Sequence, residues 1–296
     1  MKLPLPKNIK HSAVVAGLAR LYLNTRTSGL EKVIFTATTG RSGTHSLQLL
    51  FSAIPGCLAT HEPYPNMHDQ WLRAASYGNT DEVRRYYERV KAINIRRAAI
   101  GSRYYVELNH LFLKTFIEYA AEDFGDRMEV LHVVRPAVEV ARSIYHLRDW
   151  PGTADGNRWW LDYTAPTNLI QISDLLEGAS ELSHPFCKAL WYWYEMEARV
   201  RLWRSRLPNI RFHRFETHWI NDRVRTFALL DGLDIEYDKE LLSAAIGVKE
   251  STKEQRTEGR AHERDKTLTH EVAHHLHERF RQALKDRNLL PDPALQ

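Results

Sequence analysis

Eight residues near the start of the chain, Thr39-Gly40-Arg41-Ser42-Gly43-Thr44-His45-Ser46, place two glycines, an arginine and several hydroxyls between a β-rich run and an apolar helical pattern. Where a strand hands over to a helix, unpaired backbone N–H groups and the positive helix end converge on one point and favour an anion. Gly40 and Gly43 let the backbone close around such a group. Arg41 adds a mobile positive fork, and Ser42 and Thr44 add hydroxyl donors. A nucleotide-hydrolysing loop reads G-x-x-x-x-G-K-[ST], with the lysine on the phosphates and the last hydroxyl on magnesium. With Gly43 as the second glycine, those two places hold Thr44 and His45, and Thr38 stands at the first glycine. The run Val130–Val134, which would end in a magnesium-binding Asp, leads into Arg135 instead. The loop therefore reads as a site for a phosphate-like group without the usual metal.

Arg41-Ser42-Gly43-Thr44 resembles the 5′-phosphosulfate loop of sulfotransferases that use 3′-phosphoadenosine-5′-phosphosulfate (PAPS). That family carries a second element, an Arg at the end of a strand and a Ser eight positions on, which hold the 3′-phosphate. Arg135 and Ser143 match it. A hydroxyl two helical turns beyond a strand-end Arg can converge with it on one anion. The resemblance spans Val33 to Leu147, with a weaker echo at Arg211–Phe215 and Glu216. It implies a P-loop sulfotransferase-like fold, PAPS as cosubstrate with no metal required, and Gly40, Arg41, Ser42, Gly43, Thr44, His45, Arg135 and Ser143 as its binding residues. His45 departs from the family's Thr or Ser. Lys253, Arg256, Gly259 and Arg260 lie where a glycine-rich basic closing motif is expected, although a solvated charge run reads equally well.

Sulfuryl transfer to an alcohol needs a base for the hydroxyl proton and cations, Arg41 among them, to steady the spreading charge. His110, 25 residues before Arg135, resembles the catalytic His of the cytosolic enzymes, although Leu108 stands where they carry Lys. Glu62, in His61-Glu62-Pro63, is similar to the catalytic Glu of tyrosylprotein and some mycobacterial enzymes. Both follow strands, at the edge where α/β active sites gather. The implied activity is transfer to a hydroxyl or amine of a small molecule or carbohydrate. Two alternatives are a divergent P-loop phosphotransferase using ATP and a non-catalytic nucleotide-binding module.

His270-Glu271-Val272-Ala273-His274 fits the H-E-x-x-H pattern of zinc peptidases. No Gly-x-x-His continuation follows, and no Glu lies beyond Glu278. Ala273, Leu276, Phe280 and Leu284 make an ordinary apolar helix stripe, so His270, His274 and His277 read as a solvated neighbouring face.

These groups must be held by a scaffold, and the pattern predicts one. Strands are expected at Val33–Thr38, Cys57–Thr60, Tyr104–Val106, Val130–Val134 and Ile210–Phe215. Helices are expected at His45–Ile54, Asp69–Ile95, Leu111–Asp123, after Pro136, and at Pro185–Arg206, with further helix beyond Trp219. Val130–Val134 reads as a near-continuous apolar run, broken only by His132, as in a strand covered on both faces. Alternating strands and helices predict an α/β fold with a central parallel sheet flanked by helices, in one domain over residues 1–296. Residues 1–30 read as an N-terminal helical extension, and 149–167, rich in Pro, Gly, Asn and Trp, as a surface loop or lid. Its tryptophans and those near Trp191–Tyr194 suit either a ring-bearing or sugar-like ligand or the core.

Composition agrees with a globular domain: 296 residues, 43% hydrophobic and 26% charged, which excludes disordered and fibrous classes. A net charge of +4 does not call for nucleic acid as a partner but suits a pocket for a multiply charged anion. The apolar stretch Ala13–Leu23 is broken by Arg20 and is far shorter than the ~20 residues of a spanning helix. It is expected to pack on the domain as an amphipathic helix. Two cysteines, Cys57 and Cys187, form no metal spacing or disulfide framework and point to a reducing, cytoplasmic setting.

Overall fold

A computed structural model describes residues 13–246 and 267–290. Its centre is a set of short β-rich segments. Strands β1 (Lys32–Ala37), β2 (Cys57–His61), β3 (Tyr104–Leu108), β4 (Met128–Val134) and β5 (Arg211–Glu216) form one parallel sheet in the order β2-β3-β1-β4-β5. Every residue of β4 is buried, Glu129 and His132 among them. The alternating β5 lies at an edge and buries only Phe215.

Alternation along β1 divides the core in two. Val33, Phe35 and Ala37 face one layer, and Ile34 faces the other. Helix α1 (Ala13–Arg26) lies outside both, with Ala16 and Leu23 gathered on Ile93. This packing is narrower than expected, because Val14, Leu18, Leu21 and Tyr22 of α1 are exposed. No helix among the described residues is long and apolar enough to cross a membrane.

Helix α2 (Thr44–Ser52) follows β1 and packs through Leu47, Leu50 and Phe51 with Ile34. Helix α3 (Phe112–Thr115) follows β3, and α4 (Ala137–Leu147) follows β4; both join the opposite layer, α4 through Val140, Ala141 and Ile144. The chain thus leaves the neighbouring strands β1 and β4 towards opposite faces of the sheet. Such a switch opens a crevice at the strands' carboxyl ends, where ligands bind in open α/β sheets.

Some expected elements are subdivided. The helix predicted over Asp69–Ile95 is interrupted after Ser76 and resumes at Thr80; Gly78, at φ 83°, supplies the left-handed residue that ends the first piece. The helix predicted over Leu111–Asp123 breaks at Phe116, whose backbone (φ −136°, ψ 12°) is not helical. Helix α5 spans Pro185–Arg206, opened by the expected proline, and α6 spans His270–Asp286.

The segment 149–167 does not run wholly over the surface. Trp160, Leu161, Tyr163 and Ala165 are buried. Glu195 of α5 accepts hydrogen bonds from the Leu169 and Ile170 amides just beyond it, and Arg199 donates to the same carboxylate. The segment is thereby plugged into the domain. Trp191, Tyr192 and Tyr194 are core side chains, with the Trp191 indole donating to the Ile170 carbonyl.

Candidate active site

The loop after β1 takes the backbone shape that its glycines permit. Gly40, Arg41 and Gly43 all lie in the left-handed region, at φ 73°, 57° and 78°. A methyl group on Gly40 would meet His110 Cγ at 3.3 Å, and one on Gly43 would meet Thr217 Cγ2 at 3.0 Å. The loop is therefore held between β3 on one side and the end of β5 on the other. The Thr217 hydroxyl bridges the Ser42 carbonyl, at 2.9 Å, and the Val134 carbonyl, at 3.1 Å. The Tyr192 hydroxyl donates to the Thr39 carbonyl at 3.0 Å. Beneath the loop, Thr38 and Ser42 share a hydrogen bond between their buried hydroxyls.

Arg135 and Ser143 meet this loop directly. The Arg41 Nε donates to Ser143 Oγ at 3.0 Å, and Arg135 Nη1 donates to the Arg41 carbonyl at 2.7 Å. Arg135 also pairs with Glu139 at 2.9 Å, and its own carbonyl accepts from the Trp193 indole. The Arg41 guanidinium is held below its ordinary value by desolvation in the crevice and then by Arg135 beside it. Two cations forced together in this way form a site that gains from a multiply charged anion.

Thr44 and His45 face β2 instead. Thr44 Oγ1 lies 2.9 Å from His61 Nε2, and the His45 ring stacks on that of His61 at 3.7 Å. His45 therefore rests on a neighbouring imidazole, and Thr44 is engaged with the same residue.

Glu62 and His110 come together beside the loop. β2 and β3 pair His61 with Leu108, and the Glu62 amide donates to the Leu108 carbonyl. Glu62 turns out of the strand at φ 45°. The β3 end is fixed by Asn109: its amide donates to Thr36 Oγ1, and its side chain joins Glu107 and the Leu111 amide. These contacts set His110 Nε2 3.5 Å from Glu62 Oε1, with the Glu62 side chain 29% exposed and that of His110 only 5%. Burial, opposed by Lys114 and Arg41, raises the Glu62 carboxyl above its ordinary range. Burial, reinforced by Lys114, His61 and His68, pushes His110 well below its ordinary value.

Lys114, four residues after His110, did not enter the reading of the sequence as a site residue. Its Nζ lies 2.9 Å from His110 Nδ1, 2.6 Å from the Trp159 carbonyl and 3.0 Å from the Tyr192 hydroxyl. The spacing from His110 across the first helical turn was the only local sign, and it equally fits a solvated lysine. Trp160 closes this side with its ring centroid 5.2 Å from that of His110, and Trp159 stacks on His68 at 4.5 Å.

His270 and His274 sit away from Glu62 and His110. They and His277 form one wall of a groove of about 600 Å³ whose other wall carries Arg135, Arg142, Ser143 and His146. The Nε2 atoms of His270 and His274 are 3.1 Å apart, and His277 is bonded to the Tyr194 hydroxyl. Among the described residues no group of three or more His, Cys, Asp or Glu is placed to hold a metal ion. Lys253, Arg256, Gly259 and Arg260 lie outside the described residues.

No protein-family model matches the chain, and no curated protein does. Among solved structures it is similar to a sulfotransferase domain from the curacin biosynthetic pathway, at 14% identity and a TM-score of 0.46, over 72% of this chain and 77% of that one. It is also similar to a sulfotransferase domain from the Synechococcus PCC 7002 olefin synthase, at 12% identity and a TM-score of 0.46, over 76% of this chain and 82% of that one.

Proposed function

We propose that this chain is a PAPS-dependent sulfotransferase that moves a sulfuryl group onto a hydroxyl or amine of a small molecule or carbohydrate. One observation carries the reading. Arg41, Ser143 and Arg135, from two separate strand–helix junctions, meet at the crevice between β1 and β4, beside the Glu62–His110 pair. An anion with two separated charged groups suits this arrangement better than a single phosphate tail. The donor set fits such a cosubstrate: the loop's backbone amides from Arg41 to His45 and two guanidiniums, while the Ser42 and Thr44 hydroxyls are engaged with Thr38 and His61.

In this reading the loop and Arg41 hold the 5′-phosphosulfate, while Arg135 and Ser143 hold the 3′-phosphate. Glu62 and His110 address the acceptor. Their strand-end position lets the pair orient the acceptor's hydroxyl or amine and one of the two receive its proton. Arg41 spreads charge away from the transferring group. A phosphotransferase using ATP would call for a magnesium-binding carboxylate after β4, where the chain instead carries Arg135. Both cysteines are free, which suits a reducing cytoplasm.

The test is thermal. A ligand bound by the native state alone stabilises it by mass action. 3′,5′-Adenosine bisphosphate (PAP) is expected to raise Tm well above ATP or ADP at equal concentration. Equal stabilisation by ATP would overturn the PAPS assignment.

A further inference from the structure

We infer that Lys114 is a positioning residue that holds His110 as a neutral donor with its proton on Nε2, leaving Glu62 as the base. The inference deepens the transfer reading above and rests on it only for the identity of the base. With Lys114 as the ammonium, the tautomer follows from counting donors.

A lysine ammonium has three N–H donors and no acceptor. Around Lys114 Nζ stand three heavy atoms at hydrogen-bond distance: Trp159 O at 2.6 Å, Tyr192 Oη at 3.0 Å and His110 Nδ1 at 2.9 Å. The carbonyl can only accept. The Tyr192 hydroxyl spends its proton on the Thr39 carbonyl at 3.0 Å, so its oxygen also receives. The third ammonium proton is then directed at His110 Nδ1, which must present a lone pair. A neutral imidazole with a lone pair on Nδ1 carries its hydrogen on Nε2.

The charged form of Lys114 has further support. Its Nζ lies 5.1 Å from the Tyr192 ring centroid and 5.6 Å from that of Trp160, within the range of cation–π attraction. Burial pulls Lys114 well below its ordinary lysine range and Arg199 adds to this, while Glu62 favours the cation; the ammonium is nonetheless the form that fills all three contacts as donor. For its part, His110 faces Lys114, His61 and His68, and none of these neighbours favours a second proton on the ring. His110 Nε2–H then lies on the side of Glu62, whose Oε1 is 3.5 Å away, and has no lone pair to offer an incoming hydroxyl.

Glu62 is the group of the pair with free acceptor capacity and an exposed edge. In the transfer step the acceptor oxygen forms its bond to sulfur as the bond from sulfur to the donor's phosphate oxygen breaks. The hydroxyl proton passes to Glu62, the bisphosphate departs with the bonding pair, and Glu62 later returns its proton to water. His110 stays neutral throughout, held by Lys114, and the Lys114 charge favours the ionised carboxylate at the start of the step.

The test begins with imidazole ¹⁵N–¹H correlation on the full chain without donor or acceptor. His110 is expected to show a protonated Nε2 and an unprotonated Nδ1 at neutral pH. Protonation at Nδ1 in the wild type would overturn the inference, and this reading needs no variant to fold. In Lys114→Met, folded as judged by Tm and PAP binding, Nδ1 is released and His110 should exchange tautomers. An unchanged spectrum would again overturn it.

The kinetic arm compares His110→Gln, which keeps an N–H near Nε2 but has no basicity, with Glu62→Gln. Turnover in His110→Gln should stay within about tenfold of wild type, while Glu62→Gln should lose ~10²–10⁴-fold, the range for a general base. Equal losses in the two variants would return the base role to His110. A chain that shows the Nε2–H tautomer yet transfers nothing from PAPS would overturn the functional reading and leave the Lys114 assignment standing.

Discussion

The Arg41 Nε lies 3.0 Å from the Ser143 hydroxyl oxygen, although 102 positions of chain separate the two residues. A loop that follows β1 and a helix that follows β4 are thus parts of one site. Arg135 completes the link through the Arg41 carbonyl, so a charge placed near either guanidinium is felt by both.

Arg135→Ala should weaken PAP binding by ~1.5–3 kcal/mol, as for loss of a charge-assisted hydrogen bond to an anion. Adenosine 5′-phosphosulfate, which lacks the 3′-phosphate, should lose much less. Glu139→Gln should act in the opposite direction, since it removes the carboxylate that competes for Arg135 at 2.9 Å. Calorimetric titration of the three proteins checks this, and equal losses for both ligands in Arg135→Ala would make Arg135 purely structural.

The dependence of kcat on pH should be bell-shaped. The base must be ionised, and Glu62 is raised from 4.5, chiefly by burial, so the acid limb should lie above the ordinary carboxylate range. Lys114 must be charged, and burial lowers it well below 10.5, so the alkaline limb should fall below the ordinary lysine range. Activity is lost as pH falls through the first and as it rises through the second. Lys114→Met should abolish the alkaline limb while the acid limb remains; a profile identical to wild type would count against both roles.

Gly40→Ala should cost more than Gly101→Ala. Both residues have left-handed backbones, at φ 73° and 82°, and the strain for an L-residue there is roughly 1–2 kcal/mol. The space around Gly101 is open, whereas a methyl group on Gly40 presses on His110 and Trp160 at 3.3 and 3.4 Å. A larger fall in Tm together with a fall in turnover for Gly40→Ala alone would locate the contact. Matched losses in the two proteins would show backbone strain only.

Sulfuryl transfer should persist in EDTA. Thr44 and His45 occupy the places of the lysine and the metal-binding hydroxyl in a nucleotide-hydrolysing loop. Activity lost to the chelator and restored by magnesium would contradict the reading of the loop. Restoration by zinc alone would direct attention to His270 and His274.

The scaffold was largely legible because burial and chain geometry write themselves into local pattern. The near-continuous apolar run Val130–Val134 belongs to a strand buried along its whole length, and Pro185 opens α5 as expected. Ala273, Leu276, Phe280 and Leu284, read as one stripe, are the buried residues of α6. The loop and its partners Arg135 and Ser143 were legible through spacing, and the structure brings them into contact. Lys114 was not, since its partners are a carbonyl 45 residues away and a hydroxyl 78 residues away. Nothing local distinguishes it from a solvated lysine. The same holds for the plug: Glu195, in the middle of an aromatic helix, gives no sign that it will bind two backbone amides of a distant loop.

The packing of Trp159 and Trp160 on imidazoles gives the chain an optical gauge of its own site. Indole emission is sensitive to a neighbouring imidazole and to charge in its surroundings, and the Trp160 Nε1 is buried with no hydrogen-bond partner among the described residues. Trp160 touches the place of a Gly40 side chain and the His110 ring at once, so any shift in the loop or in the ring's protonation reaches the same fluorophore. The difference in steady-state fluorescence between the wild type and Trp160→Phe can therefore follow occupancy of the loop in real time and without a labelled ligand.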